Sequence, residues 1–160
     1  MEGINNGTKT TVSAVKDIPT HLNHKPVMGC NYCDIISKLP EGKSDYDDPR
    51  YISIGRAQYN QEEASVKIMR HTGSQWSPQS EEVPIQRLPY MMVMLLAAIY
   101  RIQNPQENCP CSDCIKEEVV SPKDMDFLRS EIETWGNYLK DGIEGIKDLL
   151  LRIDTSKIGK

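Results

Sequence analysis

Two runs with a period of two, joined by four residues, constrain the fold of this chain more than any other feature. Tyr51-Ile-Ser-Ile-Gly-Arg-Ala-Gln-Tyr59 and Ala64-Ser-Val-Lys-Ile-Met-Arg70 are rich in strand formers and alternate. The link from Asn60 to Glu63 has the length of a β-hairpin loop. Successive side chains point to opposite faces of a strand, so Ile52, Ile54, Arg56 and Gln58 share one face. On the partner strand Val66, Ile68 and Arg70 share one face, and Lys67, Met69 and His71 the other. The chain is therefore expected to contain an antiparallel sheet.

The helical signal follows the hairpin. Ser80-Glu81-Glu82 offers a capping residue and two acids, Pro84 suits a first helical turn, and apolar character runs on to about Gln103. Pro89 is expected to kink this helix or to move its start to Leu88. From Tyr90 to Tyr100 there is neither charge nor amide, which predicts a helix apolar on all sides and buried as a spine. A bilayer takes about 20 such residues, so no membrane span is expected. Residues 1–20 lack the apolar stretch of a signal peptide, which places the protein in the cytoplasm as an expectation. Further on, Ser121-Pro122-Lys123-Asp124 opens a second helix. Leu128, Ile132, Trp135, Leu139, Ile146, Leu149 and Ile153 follow a heptad seam, with Gly142 in the gap as the expected break point. Such a stripe predicts a homo-oligomer formed through residues 122–153.

The expected fold class is α+β: a small antiparallel hairpin or sheet packed on a buried apolar helix, with a long C-terminal heptad-patterned helix. The expected organisation is a flexible arm over 1–18, a core domain over 19–103, a cysteine-rich loop over 104–121 and the C-terminal helix over 122–154. A length of 160 residues suits one compact domain, or one domain plus an appendage. The formal charge of −4 argues against a nucleic-acid binder.

A reducing compartment disfavours disulfides, so the five cysteines need another role. Cys30 and Cys33 form a C-x2-C knuckle, and Cys109, Cys111 and Cys114 form C-x-C-x2-C. Two separated pairs are what a structural four-thiolate zinc site uses, and Cys30, Cys33, Cys111 and Cys114 are the expected ligands, with Cys109 as the substitute for Cys111. The alternative is that all five remain reduced thiols.

The segment from Arg70 to Glu82 concentrates a cation, an imidazole, an indole and several hydroxyls. Together with Arg56 and Arg87, the residues Arg70, His71, Trp76 and Gln79 suggest a pocket for a small anionic, nucleotide-like ligand: arginine for phosphate, indole for stacking. The competing assignment is a packed turn with Arg70 paired to Glu81 or Glu82. No nucleophile elbow or glycine-rich phosphate loop is present. The expected function is thus non-catalytic binding or sequestering of such a ligand, compatible with phage or mobile-element origin. The alternatives are a zinc-stabilised interaction module and a hydrolase using His71 or His24 as base. His21 and His24 have the spacing of a weak metal pair.

Five stretches together, Pro19 to Pro26, Ile52 to Asn60, Arg70 to Gly73, Trp76 to Ser77 and Gln79 to Arg87, resemble a small bacterial family of unknown function. Its members carry a similar SLG-x-AQWN strand and a similar RHTG-xx-WSxQSEE-x-P segment. This chain has Tyr59 and Met69 where the family tends to have tryptophan, and Gln86 where it has histidine. The resemblance covers roughly residues 19–100, which makes the cysteines and the C-terminal helix additions peculiar to this chain. It implies no activity.

Overall fold

The computed structural model describes residues 18–32, 49–72, 74–107, 109–110 and 119–159. The chain divides into two compact units, with the change at Ile85/Gln86.

The first unit is a four-stranded antiparallel sheet in the order β1-β2-β3-β4, with β1 over Lys25–Asn31, β2 over Pro49–Arg56, β3 over Ala64–Arg70 and β4 over Glu82–Pro84. The expected hairpin is β2–β3, in the register Ser53↔Lys67 and Gly55↔Ser65. The strand ends at Arg56 rather than Tyr59, because the Ala57 N–H turns to the Glu63 carbonyl at 2.9 Å and closes the loop. β1 and β4 lie outside the expected pair. β1 reads Lys-Pro-Val-Met-Gly-Cys-Asn, whose proline and glycine mask a strand, and it accommodates Pro26 with a register shift before Met28. Glu82 to Pro84, expected as a helix entry, instead pairs with β3.

Close approach of β1 to β2 explains Gly55. A Cβ there would collide with the Lys25 carbonyl oxygen and fall 2.9 Å from Pro26 Cα, both backbone atoms.

The alternation of β3 is regular, but the polar face is the better buried. Ser65, Lys67 and Met69 are buried while Val66 and Ile68 are half-buried. On β2, Tyr51 and Ser53 are buried and Ile54 is 38% exposed.

The second unit holds α1 over Leu88–Gln103, α2 over Met125–Thr134 and α3 over Gly136–Leu150. Pro89 occupies the first turn of α1, as its missing N–H allows. The expectation of a spine buried on all sides is not met: Ala97 is the one buried residue of α1, and Tyr90, Met91 and Met94 are exposed. The span Ile85–Gln103 has the length and composition to cross a membrane, with 6% of it buried. The Tyr90–Tyr100 run alone is too short, and its flanks add length with few charges.

A single long C-terminal helix is likewise replaced by two, and the break falls at Trp135 rather than Gly142. Thr134 Oγ1 donates to the Ser130 carbonyl at 2.8 Å, which competes with the helical ladder, and Gly136 follows at once. Gly142 lies inside α3 with open space around it. Along the seam, Leu128, Ile132, Trp135, Leu139 and Ile146 are half-buried, whereas Leu149 and Ile153 are exposed. Ile132 and Leu139 border an open groove with Leu96 and Ile99 of α1.

Candidate functional site

The inward side chains of β2 and β3 meet the segment leading into β1 and the first residue of β4. Ser53, Ser65 and Lys67 come from the paired central strands, Glu82 faces Lys67 in register, and His24 closes the group. His24 is 0% exposed, and Ser53 and Lys67 each 1%.

Burying this much polarity is costly unless it is hydrogen-bonded. Ser53 Oγ lies 3.0 Å from His24 Nε2, and His24 Nδ1 lies 3.1 Å from Glu82 Oε1. A carboxylate only accepts, so the His24 proton belongs on Nδ1 and Nε2 accepts from Ser53. Glu82 Oε1 also accepts from Ser65 Oγ at 2.6 Å and from the Gln58 N–H at 3.0 Å. Both His24 nitrogens are thereby engaged, which removes the His21–His24 metal pair. His21 is exposed.

Lys67 is less well provided for. Its Nζ donates to Gln58 Oε1 at 3.0 Å, an ordinary length. Its other acceptors, the Ser80 and Pro78 carbonyls and Glu82 Oε2, stand at 3.4, 3.5 and 3.6 Å. The buried Glu82 Oε2 makes no hydrogen bond. In front of Lys67 opens a cavity of about 160 Å³ walled by His21, Leu22, Asn23, Gln58 and Pro78.

Burial raises the pKa of Glu82, but the Ser65 hydroxyl, the Gln58 N–H, His24 and the Lys67 charge together outweigh it and hold the carboxyl below its ordinary value of 4.5. A carboxylate whose folded pKa is depressed contributes stability above its unfolded pKa and loses it as pH falls through the folded one. Chemical-denaturation midpoints should therefore be level from neutral pH down to about 5 and fall below about 4.5. In Glu82→Gln that acid-side loss should be reduced.

The residues singled out from the sequence are distributed differently. Arg70, His71 and Trp76 gather at one end of the sheet. The His71 and Trp76 rings meet edge-on at 5.0 Å, Tyr51 lies 6.0 Å from Trp76, and Ser77 N–H donates to the Arg70 carbonyl at 2.8 Å. Arg70 Nη1 reaches Glu81 Oε1 at 3.4 Å, a partly exposed pair worth at most about 1 kcal/mol. The Gln79 carbonyl accepts from Ser77 Oγ. Arg56 lies at the other end, opposite Ala64, with Nη1 on the Gln61 carbonyl at 2.6 Å. Arg87 belongs to the helical unit, just before α1. Of the expected zinc ligands, Cys33, Cys111 and Cys114 lie outside the described residues, and Cys30 is exposed on β1. Cys109 is buried. Among the described residues no group of three or more metal-ligating side chains converges.

Lys67 and its network were missed because polar residues alternating with Val and Ile read as the solvent face of a strand. The available signal was Lys67 sharing a face with Met69.

The sequence matches a family of unknown function, DUF6530, over residues 16–153, and the chain belongs to that family. The match includes the three helices, so the C-terminal region is part of the family's domain and not an addition to it. No curated protein and no solved structure is detectably similar to the chain.

Proposed function

We propose that the protein is a non-catalytic binder of a small oxyanion, a phosphate or carboxylate head group, at the cavity floored by Lys67. The observation that carries this is a buried ammonium with one acceptor at 3.0 Å and the rest at 3.4 Å or beyond, facing an open cavity. Two of its protons are poorly used, and an oxyanion oxygen supplies what they lack. Asn23 and His21 add possible donors at the wall. A space of about 160 Å³ takes the head group and leaves the rest of a nucleotide-like ligand outside. This keeps the anionic ligand expected from the sequence and moves its site from Arg70 to Lys67.

The hydrogen-bond order Ser53–His24–Glu82 is that of a nucleophile, base and acid. A base or nucleophile has to reach the substrate, yet Ser53 and His24 are buried and neither lines the Lys67 cavity. The relay is therefore assigned to fixing four segments of the sheet unit to one another. A thermal-shift series with AMP and inorganic phosphate tests the binding reading. A rise in melting temperature that saturates with ligand is expected, since ligand at 100 times Kd adds about 2.7 kcal/mol. A flat response to both compounds would count against it.

A second reading, assembly through the helices, is favoured by a specific observation. Across α1, α2 and α3 Ala97 alone is buried, while Phe127, Leu149 and Leu150 are exposed. Exposed apolar surface of this kind is typical of association faces. Light scattering should give a dimer or larger for the native protein and a smaller species for Leu150→Asp. A native monomer would remove this reading.

A further inference from the structure

The helical unit contains a cavity of a different character from the polar one at Lys67. It measures about 280 Å³ and is bounded by Met94, Ala97 and Ala98 of α1, the segment Val119–Ser121, and Met125 and Leu128 of α2. Ala97 and Ala98 hollow out the α1 side by their small size. Met94 and Met125 are unbranched and adjust to the shape of what enters. An apolar cavity of about 150 Å³ already accepts benzene, so this one is large enough for a chain of several carbons.

Among the described residues its walls carry charge in two places, Arg101 and Asp124. Asp124 is accounted for locally: its Oδ2 takes the Ser121 hydroxyl at 2.5 Å, and it stands at the start of α2, where an acid is favoured. The Arg101 guanidinium presents five donors in a plane, enough to serve a carboxylate beside other partners.

We propose that this cavity is a second ligand site, for an unbranched medium-chain carboxylate whose tail lies between α1 and α2 and whose head group meets Arg101. The site lies wholly in the helical unit and is independent of the Lys67 cavity, so either can fail without the other.

Octanoate and 1-octanol separate tail from head group in calorimetric titrations of the full chain. Octanoate should bind with an affinity at least tenfold above that of octanol. Arg101→Met should bring octanoate down to the octanol level, and Ala98→Trp, which fills the cavity, should weaken both at least tenfold. Arg101 is only half-buried, so its variant decides the matter even if Ala98→Trp fails to fold. The proposal is overturned if native protein binds neither compound, if it binds both equally, or if Arg101→Met leaves octanoate affinity unchanged.

Discussion

Glu82→Ala will destabilise the sheet unit by about 3–5 kcal/mol, the cost of breaking a buried ion pair from one side. The residue is nearly fully buried, and its Oε1 receives Ser65, the Gln58 N–H and His24. Removing it strands the Lys67 ammonium, leaves the His24 Nδ1 proton without its carboxylate and frees a backbone donor. Glu82→Gln retains an oxygen for Ser65 and Gln58 and should cost less, because only the charge and one acceptor oxygen are lost. Urea denaturation followed by tryptophan fluorescence, with Trp76 as reporter of the sheet unit, measures both. Equal midpoints for native and Glu82→Ala protein would mean that the network is not a structural clasp.

The second large effect is expected at Gly55. Alanine there places a methyl group against the Lys25 carbonyl and Pro26 Cα, which are backbone and cannot rotate away. Either β1 separates from β2 or the sheet bends. Overpacking in a well-packed interior costs typically 1–3 kcal/mol, and backbone obstruction belongs at or above the top of that range. Thermal denaturation should show a melting temperature lower by several degrees. Gly142→Ala is the control: nothing lies within 4 Å of its Cβ, it is inside a helix, and the change should stabilise by up to about 1 kcal/mol. A Gly55→Ala protein as stable as the native one would contradict the β1–β2 register.

These contrasts mark where the sequence was readable. The β2–β3 hairpin was legible because Val66 and Ile68 alternate with Ser65 and Lys67, and the start of α1 because Pro89 permits a helix only from its first turn. β1 was not legible, since Pro26 and Gly29 are turn residues in any local reading, and a long-range pairing with β2 overrides them. The break at Trp135 depends on a Thr134 side-chain bond that has no periodicity. The Lys67 site was hidden by a reversal of the usual rule. Ser53, Ser65 and Lys67 point to the more buried face and Ile54 to the more exposed one. What makes that tolerable is His24 and Glu82, distant in sequence and brought together only by the folded sheet.

The proposed oxyanion site is probed by titrating AMP, by calorimetry, into native protein and into a Lys67→Met/Glu82→Gln double variant. The two substitutions remove both charges of the buried pair together, so the fold is spared an unpaired charge, and a retained circular dichroism spectrum verifies this. One site per chain is expected in the native protein, with at least a tenfold loss of affinity in the folded double variant. Equal affinity in the two proteins, or no binding to the native one, would contradict it.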